Sequence, residues 1–414
     1  MNKTKKQIYS WALYDWANSA YTTTIIAGFF PIFFKSYWAV GLPATESTFW
    51  LGTANSAAAI MVALLAPVMG AIADAGSYRK FLLTLFVAAG GVLVTGFWFI
   101  QKGQWEPAIL CYLLATICWS AANVFYDALL PLIVSEKKLD SVSSLGYGLG
   151  YIGGGLLFLL NVLMFLKYEW FGIPDATTAV KLAFLTVGIW WVVFSIPLFL
   201  FVKEPPAAAK INLRESAQSG FRQLFQTIRE IKKYKVAAWF LLAYWLYIDG
   251  VDTIIRMAVD YGKALNFADD SLIMALLLVQ FVAFPASIMY GWIAGKTGVK
   301  KALLSGIVGY MLITFLGYFM QVEWHFYVLA VMVGLFQGGV QALSRSMFAR
   351  LIPREKSGEF FGFYNMLGKF AAVLGPVLMG TFSLLTGSVR FGILSILLLL
   401  FSGGLLLYRL ELEP

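Results

Sequence analysis

Twelve apolar runs, each long enough to cross a bilayer as a helix, most constrain what this chain can fold into. They fall at roughly 9–34, 49–72, 80–100, 106–130, 144–166 and 181–202, then at 236–261, 270–294, 300–320, 325–349, 358–385 and 390–408. A spanning helix needs about 20 predominantly apolar residues. The chain has 414 residues, 60% of them hydrophobic and 13% charged, so twelve spans and their connections leave no room for a large soluble domain. The fold class is therefore an all-α membrane protein, and an attached soluble enzyme is excluded.

The runs divide six plus six around one polar stretch. Its basic residues are Lys203, Lys210, Arg214, Arg222, Arg229, Lys232, Lys233 and Lys235. The domains expected are a six-helix bundle at 1–203, a linker at 204–235 and a second bundle at 236–414. Within the linker, Leu213, Phe221, Leu224, Phe225, Ile228 and Ile231 recur at helical spacing. The pattern suggests an interfacial helix on anionic lipid, with a solvated connector as the alternative.

In a soluble protein the net charge of +9 would suggest a nucleic-acid partner. Here the cations track the loops. Counted from a cytoplasmic N-terminus, the inner loops hold Lys3, Lys5, Lys6, Arg79, Lys80, Lys137, Lys138, Lys296, Lys300, Lys301, Arg350, Arg354 and Lys356 together with the linker. This asymmetry predicts cytoplasmic termini on a plasma-membrane protein. Met1 to Lys6 leads into a full span and is read as part of a retained helix rather than a cleaved signal. Cys111 and Cys118 lie on one span about 10 Å apart in rise and are read as packing residues.

An internal repeat marks the two bundles. Gly70-Ala-Ile-Ala-Asp74 is followed by Arg79-Lys80, and Gly291-Trp-Ile-Ala-Gly295 by Lys300-Lys301 at the same offset. Such repeats build transporters from two halves that rock about a central site. The first copy resembles the Gly-x-Leu-x-Asp-x-x-Gly-Arg-Lys loop of the major facilitator superfamily, with the basic pair one residue late and Gly295 replacing the acid in the second copy. The resemblance implies two pseudo-symmetric six-helix bundles, with Asp74, Arg79 and Lys80 as a conformational latch. A plain topogenic charge cluster is the alternative.

Charged and amide side chains inside a bilayer are expensive and normally face a cavity or a partner. Taken between their flanking loops, the third, sixth, ninth and twelfth spans contain none. The first carries Asp15 and Asn18, the fourth Asn123 and Asp127, the seventh Asp249, Asp252 and Arg256, and the tenth Gln337, Gln341 and Arg345. A period of three is what the major facilitator arrangement implies, where the first helix of each three-helix repeat lines a central cavity. Asp15 serves either ion binding or an interhelical hydrogen bond. Asp249 and Asp252 lie about 20 Å along their helix, and Arg256 stands one turn beyond Asp252, placed to pair with it. Lys369 is also deep and needs a counter-charge; it is expected to pair with Asp249 or another cavity acid, the pair opening on protonation or on binding a carboxylate. Arg345 and Asp127, near inner helix ends, either snorkel or pair in an inner latch.

Gly148-Leu-Gly150-Tyr-Ile-Gly153 matches a dinucleotide fingerprint, but no strand precedes it and a span contains it. Gly146, Gly150 and Gly154 read instead as a smooth packing face. Gly150-Tyr-Ile-Gly-Gly154-Gly155 resembles the exporters' fifth-helix motif, with Tyr151 in place of Pro. Gly375-Pro376 should kink or break the eleventh span. No phosphate-binding loop occurs, and the chain's one histidine, His325, has no nucleophile or metal cluster around it. Neither catalytic residues, a metal site nor a cofactor is expected.

Longer stretches resemble the vacuole effluxer family linked to autophagy, and its bacterial relatives. They are Trp11-Ala-Leu-Tyr-Asp15-Trp-Ala-Asn18-Ser-Ala-Tyr21, Asn123-Val-Phe-Tyr126, Tyr151-Ile-Gly-Gly-Gly155 and Asp249-Gly250-Val251. Gln337-Gly-Gly-Val-Gln341-Ala-Leu-Ser-Arg345-Ser and Phe360-Phe-Gly-Phe-Tyr364-Asn365 to Lys369-Phe370 continue the match. The family often has an uncharged polar residue where this chain has Asp252. The resemblance implies a monomeric secondary transporter of the bacterial inner membrane, exporting small neutral amino acids or related solutes by alternating access, with proton coupling. The cavity residues it implies are Asp15, Asn18, Tyr21, Asn123, Tyr126, Asp249, Asp252, Arg256, Gln337, Gln341, Asn365 and Lys369, and Arg345 joins the latch. The chain's many aromatics keep a lysolipid, lipid or drug-like cation open as cargo. A membrane sensor with a transporter-like shell is the reading from outside the transporters.

Overall fold

In the computed structural model, residues 3–206, 213–229, 231–265, 267–371 and 374–411 are described. Eleven helices are long and apolar enough to cross a membrane, and the helical run from Lys3 to Trp38 supplies the twelfth. That first run is wound unevenly. Helix α1 (Lys3–Ala20) continues as π-helical turns over Tyr21–Phe29, a short α2 (Phe30–Phe33) and a second π stretch over Phe34–Trp38. Wide turns of this kind are uncommon and cluster at functional sites. Here Gly28 leaves helical geometry at φ −95°, ψ −105°, which lets Phe158 pack against its α-carbon.

The rest of the N-terminal bundle is α3 (Ala44–Gly76), α4 (Arg79–Gly96), α5 (Trp105–Ile133), α6 (Leu139–Leu166) and α7 (Ala176–Phe201). The linker forms α8 (Leu213–Arg229). The C-terminal bundle is α9 (Lys235–Ala264), α10 (Asp269–Thr297), α11 (Val299–Tyr318), α12 (Glu323–Leu351), α13 (Ser357–Phe370), α14 (Leu374–Thr386) and α15 (Val389–Arg409). Helices α13 and α14 together make the eleventh span. The expected break is present, one turn earlier than the sequence suggested: Pro376 sits in the first turn of α14, where a missing N–H leaves no bond unmade.

The bundles meet along two related seams, α3 against α13 and α6 against α10. The glycines of the internal repeat explain how closely. A Cβ at Gly70 would run into the Gly358 carbonyl, and one at Gly291 would meet Ser144 Cβ at 2.8 Å. Each copy of the motif thus supplies the bare backbone that lets its helix touch the opposite bundle. Gly150 and Gly154 form the anticipated packing face, with Ser19 and Thr23 of the first span lying over them.

Helix α8 packs on α3. Ser216 and Thr227 are fully buried, and Leu224 nearly so; Ser216 Oγ donates to the Ile72 carbonyl at 2.6 Å. Gln223 Nε2 donates to Glu359 at 3.0 Å, and Lys356 Nζ reaches Thr227 Oγ1 at 2.9 Å. One face of the linker helix is therefore seated on both bundles. Phe225 and Arg222 are exposed. Lys210 and the side chains of Leu213, Phe221, Ile228, Arg229, Ile231 and Lys232 lie outside the described residues.

Candidate functional site: a closed end and a central polar cluster

Every described hydrogen bond between the bundles lies towards one end, the end that carries Lys3 and Arg409 and most of the basic loops. The deepest of them, Tyr151 Oη to Gln341 Oε1 at 2.5 Å, is about 18 Å from the start of α6 at 1.5 Å per residue. Among the described residues the opposite halves of the two bundles share no hydrogen bond. The molecule is closed at its basic end.

Arg345 is the centre of that closure. Its guanidinium is almost wholly buried, and each nitrogen donates across the seam. Nε bonds Ser143 Oγ at 2.9 Å, Nη1 bonds Asp127 Oδ1 at 3.2 Å, and Nη2 bonds Asp15 Oδ2 at 3.1 Å and the Ser143 carbonyl at 3.0 Å. Trp11, Tyr126 and Tyr147 present their rings to it with centroids 4.8, 5.4 and 4.3 Å away. Planar, delocalised guanidinium suits such an aromatic, multidentate setting better than an ammonium. The acids are held in turn: Tyr126 Oη donates to Asp15 at 2.8 Å and Asn365 Nδ2 to Asp127 at 3.1 Å. Trp11 and Asp15 share one helix face at i, i+4, which is why the opening motif brings both to the guanidinium.

Two further layers close the same end. Asp140, in the first turn of α6, takes a bidentate ion pair from Arg350 at 2.6 and 2.8 Å and a bond from Ser346 Oγ at 2.6 Å. Asp74 caps α13, accepting the N–H groups of Gly358 and Glu359 at 2.8 Å each. It also pairs with Arg79 at 2.5 Å. Arg79 reaches Glu204 of the linker at 2.8 Å and the Glu355 carbonyl at 3.1 Å. Asp74 and Arg79 thus join the bundles. Lys80 does not: its Nζ bonds the Val202 carbonyl at 2.9 Å, inside its own bundle. In the second copy Lys300 likewise bonds the carbonyls of Tyr408 and Leu410, and with Gly295 in the acid's place that copy has no carboxylate to send across.

The Asp140 layer is open to a charge-swap test. Asp140→Arg and Arg350→Asp should each lower the thermal midpoint of the purified protein, and the double swap should recover part of the loss. A coupling of about 0.5–3 kcal/mol is expected for residues in direct contact; additive effects would show that the pair does not hold this end.

Above the closure lies a polar cluster. Asp252 on α9 is half-buried and within electrostatic reach of Arg256 and Lys369. The hydroxyls of Tyr147, Tyr151, Tyr244 and Tyr310 also feel its charge. Arg256 is exposed near the far end of its span, Lys235–Ala258, so the cluster opens away from the closed end. Lys369 Nζ lies 4.5 Å from the centroid of Trp119 in the opposite bundle. Trp119 Nε1 donates to Asn18 at 3.3 Å, and Asn18 Nδ2 to Asn123 at 3.1 Å, forming the facing wall.

Several expected positions are revised. Lys369 does not pair with Asp249. That carboxylate accepts the N–H groups of Leu374 and Gly375 at the start of α14, while the lysine turns to Trp119. Arg256 and Asp252 form no close ion pair among the described residues. Asp15, Tyr126 and Asn365 belong to the Arg345 network rather than to the cavity. Tyr21 is buried inside the N-terminal bundle with its hydroxyl on Thr116 at 2.9 Å. Gln337 is buried and Gln341 is engaged by Tyr151. Sequence reasoning missed Ser143, Asp140, Arg350, Glu204 and Trp119. Asp140 and Arg350 stand at span ends, where they read as loop charges, and nothing in the sequence singled out one tryptophan among fourteen.

The family model described as "Vacuole effluxer Atg22 like" matches residues 40–414. The chain is a member of this family. It is 39% identical to the MFS-type transporter YxiO of Bacillus subtilis, over 98% of this chain and 95% of that one. It is 22% identical to autophagy-related protein 22 of Vanderwaltozyma polyspora, over 100% of this chain and 92% of that one. Among solved structures, the human organic anion transporter MFSD10 (TETRAN) superposes with a TM-score of 0.77 at 12% identity, covering 98% of this chain and 100% of that one. The fucose transporter FucP gives 0.71 at 11%, over 100% and 99% of the two chains. The fold of this Atg22-like protein is that of the major facilitator superfamily, and the protein is a multi-pass membrane transporter rather than an enzyme.

Proposed function

We propose that this protein is a proton-driven exporter of small zwitterionic solutes of the neutral amino-acid class, working by alternating access, with its basic end in the cytoplasm of a bacterial cell. One observation carries the reading. Below the cluster Asp15, Asp127 and Asp140 are paired across the seam with Arg345 and Arg350, whereas Asp252, Arg256 and Lys369 form no close ion pair among the described residues and Arg256 is exposed. An acid beside two cations complements an ammonium and a carboxylate on one small molecule. The aromatic wall of Trp119 and the tyrosines would cover the remainder. Release of the Arg345, Arg350 and Asp74 layers would open the basic end, and these three layers act as the latch. The bundles 1–203 and 236–414 would move as the two rocking units, with α8 lying across both and its exposed side available to anionic lipid.

The test is a ligand-stabilisation screen of the purified protein against amino acids, short peptides, lysolipids and organic cations, followed by flux into liposomes under an imposed pH gradient. Stabilisation by amino acids with gradient-dependent flux supports the reading. Stabilisation by lysolipids or cations alone replaces it with an amphiphile carrier, and binding without flux with a sensor. Lys369→Met should weaken binding of the amino acid selected by the screen by about 30-fold or more, from the roughly 2–5 kcal/mol lost when one member of a desolvated charge contact is removed. Unchanged affinity would remove Lys369 from the site.

A further inference from the structure

The buried acids of this protein differ in what compensates them. Asp15 and Asp127 share Arg345, Asp140 has Arg350, and Asp74 has Arg79. Among the described residues Asp249 has no cation partner. It has no exposed surface, lies about 21 Å along α9 at 1.5 Å per residue, and is held by neutral donors alone. Gly375 N–H bonds Oδ1 at 2.8 Å, Leu374 N–H bonds Oδ2 at 3.1 Å, and Thr253 Oγ1 donates to Oδ1 at 3.3 Å.

Those two N–H groups open α14, so Asp249 is the cap of a half-helix that begins inside the membrane. A helix start leaves its first N–H groups without intrahelical partners and carries about half a positive charge. Pro376, the next residue, has no N–H to satisfy. A Cβ at Gly375 would collide with Thr253 Oγ1, so the glycine is what allows α14 to reach the carboxylate. The equivalent span of the N-terminal bundle, α6, runs unbroken. The joint is built into one bundle only.

The surroundings leave this carboxylate on its own. On α9 the nearby charge is Asp252, one turn away and facing the cavity. On α13 Lys369 acts on Asp252 and Arg256. Helix α15 packs Ile396 and Leu400 against Gly250 and carries its arginines at its ends. Helix α14 has no titratable residue. On α11, Tyr310 acts on Asp252 and Tyr318 on Tyr261, farther along α9; on α12, Arg345 is committed to the closed end. The described charges of α10 are at its basic end.

We propose that Asp249 is the site of the coupling proton, and that its protonation uncaps α14 and frees the upper half of the eleventh span to move. This rests on the proton-driven part of the reading above. The step is COO⁻ + H⁺ → COOH: the proton arrives from the cavity by way of Asp252 and binds one Asp249 oxygen. That oxygen stops accepting an N–H of α14, and the charge that favoured the helix start disappears. Loading the proton and releasing the joint are then one event.

The test uses the full chain with Cys111 and Cys118 replaced by Ser, and spin labels at Trp170→Cys and Leu384→Cys, both exposed at the end away from the closure. In liposomes the label distance should change between mildly acidic and mildly alkaline buffer. Asp249→Asn should hold the acidic distance in both buffers, and Asp249→Glu should restore the response. An infrared difference spectrum between the same buffers should contain a protonated-carboxyl band that is missing in Asp249→Asn. The ratio of gradient-driven to gradient-free amino-acid uptake should fall to one in the Asn variant and stay above one in the Glu variant. If Asp249→Asn keeps the wild-type distance change or the infrared band, Asp249 is not the proton site, even with coupling intact. If the wild type itself shows no pH response and no gradient dependence, the proton-driven reading fails and takes this proposal with it.

Discussion

Arg345→Ala should lower the stability of the purified protein by about 3–5 kcal/mol, the range for breaking a buried ion pair from one side, and should abolish transport. The loss comes less from the bonds removed than from what stays behind, since Asp15 and Asp127 would remain buried with no cation between them. Lysine should rescue poorly, because an ammonium cannot satisfy two carboxylates, a serine hydroxyl and a carbonyl from one plane. The combination Arg345→Met, Asp15→Asn and Asp127→Asn should regain most of the thermal midpoint, since apolar or neutral replacement of a whole buried network is often neutral. It should still fail to transport, because the closure would have lost its register. Thermal unfolding in detergent beside liposome flux separates these outcomes. An Arg345→Ala protein as stable as wild type would show that the network is incidental.

Gly358→Val should prevent closure at the basic end. The new Cβ would enter the space of the Asp74 carboxylate and approach the Gly70 carbonyl at 2.6 Å. Overpacking costs roughly 1–3 kcal/mol, and loss of the two N–H bonds to Asp74 adds at least as much. A shift of about 3 kcal/mol changes the balance of the two conformations by more than about a hundredfold. The readout is a cysteine at Ala342, which is fully buried in the seam beside Ser143. In vesicles exposing the basic end it should be protected from an impermeant maleimide in the parent and labelled rapidly in the Gly358→Val background. Gly291→Val, at the related seam, should act in the same direction but more weakly, since it displaces Ser144 rather than a capping acid. Protection of Ala342→Cys in both backgrounds would refute the wedge.

The residues that became legible early are those whose signal is local. Span positions follow from hydropathy, because in lipid only a helix satisfies its backbone within a single segment. Asp74 and Arg79 were visible because the repeat put an acid and a cation at fixed offsets from a glycine. Arg345 stood out as an arginine inside a span. Asp249 and Lys369 were also visible as costly residues in lipid, with the lysine expected to meet Asp249 or another cavity acid; Asp252 is within its electrostatic reach. The structure gives Asp249 the N–H groups of a broken helix and the lysine an aromatic face, and neither partner carries a sequence signature.

Sequence alone determined the membrane, the number of spans, the two related bundles and the list of polar residues that had to find company. Each of these is a property of single helices or of repeats along the chain. Which polar residue meets which was decided only by tertiary structure, because the contacts of Arg345 cross sequence separations of 202 to 330 residues and depend on the register at two glycine seams. The same register separates Asp15, closed in the latch, from Asp252, open in the cavity, although both read as acids inside a span.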